Sequence, residues 1–189
     1  MRLSQREWAA MNTGLRRAFQ CRLEWPLFRR LGAGEACRGR DVVEMGCGSG
    51  YGARLVSGAA PRSYTGFDLM PEQIALAQGR GLAAARFLVA DATRLAALGE
   101  ACADVVLIFG ILHHIPGWPR ALAEAARLLR PGGRLFVEEP DAPLLALWDR
   151  LLRWGHPVTR FSLRGLRDAL NSNGLRLERS VEIPGALGV

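Results

Sequence analysis

The stretch "VVEMGCGSGYGARL", residues 42–55, places four glycines within seven positions, between an apolar run and a helical pattern. The apolar run predicts a buried strand and the following pattern predicts a helix, so the glycines occupy the turn between them. In an α/β sheet, ligands bind at the carboxyl ends of the strands, where glycine allows the backbone to approach a ligand closely. The stretch therefore predicts a ligand site in this turn, with a tight turn that binds no ligand as the alternative.

The alternation of short apolar runs and helical stretches continues along the chain. Strand-like runs cover residues 41–45, 63–67, 85–90, 103–110 and 132–139, and helical stretches cover residues 51–58, 71–79, 92–99 and 118–129. Strands that alternate with helices are typical of a parallel sheet with helices on both faces. The pattern predicts an α/β fold of the Rossmann-like, doubly wound type, with a mostly parallel sheet.

The composition is typical of a globular protein, and we expect residues 1–189 to form a single domain. Hydrophobic residues make up 49% of the chain and charged residues 23%. No apolar run approaches the roughly 20 residues of a membrane span, and the N-terminus lacks the pattern of a signal peptide. The four cysteines are scattered, without metal-ligand spacing. We therefore expect a cytoplasmic protein with reduced thiols.

All 25 basic residues are arginine, and the net charge is +7. The absence of lysine excludes a mechanism that uses a lysine Schiff base or amine nucleophile. A positive chain could attract nucleic acid, an anionic membrane surface or an acidic substrate. Because the arginines are spread along the chain without a dense run, nucleic acid is not favoured as a partner. Peripheral contact with a membrane stays open, and so does the oligomeric state.

Two cofactors are compatible with the glycines alone. The segment "GSGYGA", residues 48–53, satisfies the G-x-G-x-x-A pattern of dinucleotide-binding folds, and the acidic Asp68 follows about 20 residues later, as those folds also require. This pattern favours a nicotinamide-dependent reductase. However, Glu44 stands two residues before Gly46 and gives the pattern E-x-G-x-G-x-G. This pattern favours a cofactor other than a nicotinamide dinucleotide.

Five motifs occur in order and together carry a family resemblance: "VVEMGCGSG", "YTGFDLMPEQIALA", "FLVADATRL", "DVVLIFGILHHIPG" and "ARLLRPGGRLFVEE". This series resembles that of class I S-adenosylmethionine-dependent methyltransferases, and is most similar to the small-molecule branch that includes the ubiquinone and menaquinone biosynthesis methyltransferases. The resemblance covers roughly residues 40–140. It implies S-adenosyl-L-methionine as the cofactor and methyl transfer to a small, in some cases apolar, acceptor. A noncatalytic cofactor-binding partner protein is a further alternative.

The resemblance assigns the adenosine half of the cofactor to the ends of the second and third strands. Asp68 would accept hydrogen bonds from the ribose hydroxyls, and Leu69 and Met70 would cover one face of adenine. Asp91 would accept from the adenine amino group, with the backbone of Ala92 beside it. For both Asp68 and Asp91, the alternative role is that of a helix N-cap.

The resemblance assigns the methionine half to the glycine loop. Glu44 would orient the amino group, and Gly46, Gly48 and Gly50 would make room for the methionyl and ribose portions. The cofactor has no pyrophosphate, so the loop would serve close approach more than anion binding. The remaining residues predicted to bind the cofactor are Cys47 and Phe109.

The acceptor side is predicted from the ends of the fourth and fifth strands. His114 and Glu138 are the candidate catalytic residues, both for positioning the acceptor, and a general base is the alternative role for His114. Strand alternation points only one of Glu138 and Glu139 inward, and we expect the other to be solvated or paired with arginine. No acidic residue lies at ligand spacing from the histidines, so no metal site is predicted.

The two ends of the chain are predicted to cover the site. Residues 1–31 would form a helical lid, with an amphipathic helix over residues 3–24 that ends before the Trp25-Pro26 pair. Residues 40–140 would form the cofactor-binding core. Residues 141–189 would supply an acceptor-side cover around Trp148 and Trp154, for which core packing is the alternative, and C-terminal strands of which the last is short or truncated. The acceptor atom stays open.

Overall fold

Residues 42–55 contain most of the central strand, the glycine turn and most of the first core helix of the fold. In the computed structural model, which describes residues 12–141, 150, 162–183 and 187–188, the strands are β1 (Asp41–Met45), β2 (Ser63–Asp68), β3 (Ala85–Val89), β4 (Ala103–Phe109), β5 (Leu129–Pro140), β6 (Glu182–Ile183) and β7 (Leu187–Gly188). The helices are α1 (Gly14–Phe19), α2 (Trp25–Arg30), α3 (Ala33–Cys37), α4 (Tyr51–Ser57), α5 (Pro71–Gln78), α6 (Trp118–Leu128) and α7 (Leu163–Ser172).

The strands form one sheet in the order β3-β2-β1-β4-β5-β7-β6. The five strands from β1 to β5 pair in parallel, and β7 pairs antiparallel with both β5 and β6. This confirms the predicted Rossmann-like, doubly wound fold. The strand order reverses between β1 and β4, and in such sheets a ligand crevice opens at the carboxyl ends of the strands beside the reversal.

Helices cover the sheet on both faces because the central strands are apolar on both sides. In β4, Val106 and Ile108 pack in one apolar cluster, which includes residues of α6 and α7. Val105 and Leu107 pack in the other, which includes residues of α2 to α5. Successive side chains of a strand point to opposite faces, so a continuous apolar run buries both.

The predicted end of the leading helix before Trp25-Pro26 is wrong. The chain passes from α1 through a π-helical turn (Gln20–Glu24) directly into α2. Pro26 lies in the first turn of α2, directly after the π-helical turn. Trp25 and Phe28 are buried in the core, so tertiary packing extends the helix past the proline. Residues 1–11 of the predicted lid lie outside the described residues.

The predicted helix over residues 92–99 is also wrong, because turns connect β3 to β4. The Asp91 carboxylate accepts the backbone N–H of Thr93 at 2.8 Å, and the Asp91 carbonyl accepts the N–H of Arg94 at 2.9 Å. The N–H of Leu95 donates to Glu124 of α6 instead of a helical partner. These bonds replace the helical ones and leave Leu95 as the buried anchor of the connection.

The C-terminal strands are short. Among the described residues 175–183, Glu182–Ile183 forms the one paired segment, and β7 consists of Leu187–Gly188. Trp148 and Trp154, the centre of the predicted acceptor cover, lie outside the described residues. Within the part of the chain that the structure describes, no helix combines the length and apolarity needed to cross a bilayer.

Candidate functional site

The glycine loop between β1 and α4 is shaped by backbone conformations that favour glycine. Gly48 has φ +49°, and a Cβ atom there would meet nothing within 4 Å, so this part of the loop faces open space. Gly50 has φ +74°, and a Cβ atom there would lie 2.8 Å from the Cβ of Ala77 in α5. The loop thus exposes its backbone at Gly48 and presses against a helix at Gly50.

A cavity of about 390 Å³ opens beside this loop, at the carboxyl ends of β1, β2 and β4. Its volume lies within the range of about 300–1,000 Å³ that is usual for small-molecule sites. The residues predicted from sequence that line it are Glu44, Gly46, Cys47, Gly48, Asp68, Leu69, Met70, Asp91, Ala92, Phe109 and His114. Gly50 and Glu138 are not among the lining residues.

Asp68, at the end of β2, connects that strand to the glycine loop. One carboxylate oxygen accepts the N–H of Gly48 and the other accepts the N–H of Met70, each at 2.9 Å. Burial raises the pKa of Asp68, and these backbone hydrogen bonds oppose the rise. Met70, and not Asp68, occupies the N-cap position of α5. Two carboxylate oxygens offer about four acceptor positions, so Asp68 keeps capacity for a ligand in the cavity.

Glu44, in β1, is a buried acid at the floor of the cavity. It is 1% exposed, and its Oε2 atom has no hydrogen-bond partner among the residues that the structure describes. Burial raises the pKa of Glu44 to about 8; Arg16 opposes the rise, and Asp68 and Glu24 add to it. A Cβ atom at Gly52 would lie 2.5 Å from Oε2, so the fourth glycine makes room for this carboxyl group. The environment of Glu44 favours a cationic ligand.

A second pair of buried acids lies behind Glu44. Glu24, from the π-helical turn, forms a 2.8 Å ion pair with Arg16. Burial raises the pKa of Glu24, with Arg16 opposing. Burial, and then the charges of Glu24 and Glu139, raise the pKa of Glu138 well above its ordinary value. The structure therefore places Glu138 beside Glu24, outside the cavity, because its face of β5 packs against the leading helix.

The expectation that one of the two glutamates of β5 is solvated or paired with arginine is wrong. Both are buried, and Glu139 pairs with His113 at 2.8 Å from Oε2 to Nδ1. His113 is buried as well, whereas the neighbouring His114 lines the cavity. The sequence shows two adjacent histidines and two adjacent glutamates, but the pairing depends on how the ends of β4 and β5 align.

Asp91 lies at the cavity edge, after β3. Its carboxylate accepts both the N–H and the hydroxyl of Thr93, each at 2.8 Å, and these bonds lower the pKa of Asp91. It therefore stabilises a turn and does not cap a helix. Three arginines that the sequence analysis did not single out also line the cavity: Arg16, Arg17 and Arg120. Their only sequence signal is charge, which they share with 22 other arginines.

The family of the chain follows from comparison with known proteins. A family model described as "Methyltransferase domain" matches residues 43–137, half of the chain, from β1 to β5. The chain belongs to this methyltransferase family. The matched segment contains the glycine loop, Asp68, Asp91 and His114, so most of the cavity lining belongs to the domain that defines the family. S-adenosylmethionine is the cofactor that this membership assigns to the domain.

Curated relatives of the methyltransferase domain include mycobacterial enzymes. A phthiotriol/phenolphthiotriol dimycocerosates methyltransferase from Mycobacterium leprae is 40% identical over 111 residues, which are 58% of this chain and 41% of that protein. An O-methyltransferase from Penicillium expansum is 31% identical over 121 residues, which are 58% of this chain and 44% of that protein. The chain spans about half the length of the curated relatives it matches.

Solved structures support the fold. An S-adenosylmethionine-dependent methyltransferase from Mesorhizobium loti aligns with a TM-score of 0.75 at 21% identity, covering 85% of this chain and 84% of that one. A methyltransferase from Aquifex aeolicus aligns with a TM-score of 0.75 at 14% identity, covering 99% and 96% of the two chains. At these identities the likeness concerns the fold of the methyltransferase domain.

Proposed function

We propose that this protein transfers a methyl group from S-adenosylmethionine to a small, apolar acceptor. The observation that carries the proposal is the Glu44 carboxyl group, which is buried, unpartnered at Oε2 and placed at the floor of the cavity beside the open backbone of Gly48. An orphaned buried carboxyl group fits a cationic ligand such as the amino end of S-adenosylmethionine. Family membership supports the same assignment.

Different residues of the cavity would bind the amino group, the ribose and the adenine of the cofactor. Glu44 would bind the ammonium group, and Asp68, which lies across the loop, would accept the ribose hydroxyls. Leu69 and Met70 would cover adenine, and Asp91 would accept from its amino group. Bound S-adenosylmethionine supplies a methyl group already activated by the sulfonium, so the residues of the chain need mainly to align the acceptor.

The acceptor would enter on the side of His114. Ile111, Ile115 and Pro116 line the cavity next to it, so this side is apolar with one imidazole. Two relatives carry names that specify a phthiotriol derivative or O-methylation, which supports an apolar acceptor bearing a hydroxyl group. We assign His114 to orienting the acceptor. Glu138 would act only indirectly, since it is buried and does not line the cavity.

A dinucleotide fits the loop less well. The N–H of Gly48, which a pyrophosphate would use, already donates to Asp68. Asp68 also places a carboxylate beside the loop, and its negative charge would repel a phosphate. The second glycine of the G-x-G-x-x-A pattern is explained by packing, since Gly50 presses against α5.

The proposal includes a cytoplasmic location, which is supported by four free cysteines, as is usual in a reducing compartment. It also includes peripheral contact of the leading helix with a membrane surface, supported by Leu15, which is 82% exposed. Sedimentation with anionic phospholipid vesicles tests this contact. Failure to sediment with them would remove the membrane from the proposal and leave the catalytic proposal unaffected.

The experiment that tests methyl transfer combines binding with turnover. The protein is titrated with S-adenosylhomocysteine in a calorimeter, and is then incubated with S-adenosylmethionine and a panel of apolar alcohols and phenols while release of S-adenosylhomocysteine is followed. We expect binding, and acceptor-dependent release that is lost when Asp68 is replaced by alanine. Binding without release for any acceptor would favour a noncatalytic cofactor-binding protein.

A further inference from the structure

Glu139 binds an entire turn through one side chain. It is the penultimate residue of β5 and is 0% exposed. Its carboxylate accepts the backbone N–H of Leu112 at 2.6 Å, the backbone N–H of His113 at 3.4 Å and the ring Nδ1–H of His113 at 2.8 Å. All three donors belong to the 3-10 turn Leu112–His114, which follows β4. The end of β5 therefore fixes the segment that carries His114.

The His113 ring connects this carboxylate to the cavity. The rings of His113 and His114 lie 4.0 Å apart between centroids, with 43° between their planes. An ionised carboxylate only accepts hydrogen bonds, so Nδ1 of His113 carries a proton, and in the neutral ring Nε2 carries none. Glu139 thus sets the tautomer and the orientation of a ring that packs against His114, in the way that buried carboxylates orient catalytic histidines.

We propose that Glu139 and His113 form a positioning dyad that holds the His114 ring at the acceptor end of the cavity. The proposal rests on the proposed methyl transfer. His114 lines the cavity, whereas neither member of the dyad does, so the dyad acts through His114. Methyl transfer depends on the alignment of acceptor and methyl group, and small displacements of an orienting group are costly. The dyad therefore serves turnover, while Glu44 and Asp68, on β1 and β2, serve cofactor binding.

The Glu139→Gln variant tests the dyad with little change in shape. Its amide oxygen can still accept the N–H of Leu112, but its NH₂ group would face Nδ1 of His113 and donate to it. The His113 proton would then move to Nε2. The chain contains only three histidines, so ¹⁵N-histidine labelling gives a simple NMR spectrum. We expect a protonated Nδ1 in the parent, a protonated Nε2 in the variant, and a shift of the His114 resonances as well.

Turnover provides the functional readout. The His113→Phe variant keeps a ring against His114 but removes the donor to Glu139. For both dyad variants we expect kcat to fall by about tenfold or more with the best acceptor of the panel, with the Kd for S-adenosylhomocysteine changed by less than about twofold. His114→Ala should show the same pattern, because it removes the group that the dyad positions.

Glu124→Gln is the matched control. Glu124 also accepts a loop N–H, that of Leu95 at 2.8 Å, and pairs with a cationic side chain, Arg127. It does not line the cavity. We expect this variant to keep the parent kcat and the parent histidine spectrum, even if its melting temperature falls. A loss of kcat equal to that of Glu139→Gln would contradict a specific role for the dyad.

Three outcomes overturn the proposal. One is a His113 tautomer that is protonated at Nε2 in the parent; another is a switched tautomer in Glu139→Gln with unchanged His114 resonances and unchanged kcat. The third is an equal loss of kcat and of S-adenosylhomocysteine affinity, which would make Glu139 a structural residue. If the parent turns over no acceptor, methyl transfer fails as the proposed function, and the response of the His114 resonances alone decides the dyad.

Discussion

At the scale of single residues, two of the three acids that line the cavity, Asp68 and Glu44, are in different states. Asp68 is satisfied by the N–H groups of Gly48 and Met70, so it is fixed before any ligand arrives. Glu44 has an unpartnered oxygen and a pKa raised to about 8 by burial. Asp68 therefore fixes the conformation of the glycine loop, whereas Glu44 favours a positively charged ligand.

The Asp68→Ala variant should lose cofactor affinity. Hydrogen bonds to a charged group contribute about 1.5–3 kcal/mol each, so we expect Kd for S-adenosylhomocysteine to rise by about ten- to a hundredfold in calorimetry. Glu72→Ala, which removes an exposed carboxylate from the first turn of α5, is the control and should bind as the parent does. Parent-like affinity in Asp68→Ala would restrict Asp68 to holding the loop.

The raised pKa of Glu44 leads us to expect that cofactor binding releases protons. Its raised pKa means that the free site is protonated at pH 6.5, and a bound ammonium group would favour the carboxylate and lower that pKa. Binding should therefore release up to about one proton, and affinity should increase as the pH rises from 5.5 towards 7.5. Calorimetry in buffers of different ionisation enthalpy measures the release.

The same raised pKa lowers the stability of the folded protein as the pH rises, whereas it makes the affinity for the cofactor increase. The unfolded chain ionises Glu44 at its ordinary pKa, so between that value and about 8 the folded protein holds the extra proton and loses stability as the pH rises. Glu44→Gln should remove both effects. Proton release that is the same in Glu44→Gln and in the parent would assign the titration to another group, such as Glu138.

At the scale of elements, the first strand, turn and helix were predictable because their signals are local. Glycine spacing and an apolar run identify a strand–turn–helix unit, and Gly46, Cys47 and Gly48 of this unit line the cavity. The continuation of the helix past Pro26 was missed because buried Trp25 and Phe28 decide it. The pairing of Glu139 with His113 depends on the alignment of two strands, and periodicity carries no such information.

Gly50 is the residue on which the packing of this unit depends most directly. Its φ of +74° disfavours any side chain, and a Cβ atom would also come within 3.1 Å of the Ala77 backbone. Gly81 has a similar φ of +63° but open space around it. We expect Gly81→Ala to cost about 1–2 kcal/mol of unfolding free energy, and Gly50→Ala about 1–3 kcal/mol more. Equal losses in denaturant titrations would contradict the packing role.

At the scale of the whole molecule, a strongly basic protein contains a cavity with an acidic floor. The net charge is +7, yet Glu24, Glu44, Glu138 and Glu139 are all buried near the carboxyl ends of the strands. Arg16 is the cation that acts on Glu24, Glu44 and Glu138 together. Burying this much acid is costly unless a proton or a cation compensates it. This distribution favours a positively charged cofactor over a dinucleotide.

The most direct test of this account is a calorimetric comparison of ligands for the complete chain at pH 7. S-adenosylmethionine, S-adenosylhomocysteine, NAD and NADP are titrated under the same conditions. We predict saturable binding of the two sulfur-containing ligands at one site, with no measurable binding of NAD or NADP over the same concentration range. Saturable binding of NAD or NADP without binding of either sulfur-containing ligand would contradict the central claim.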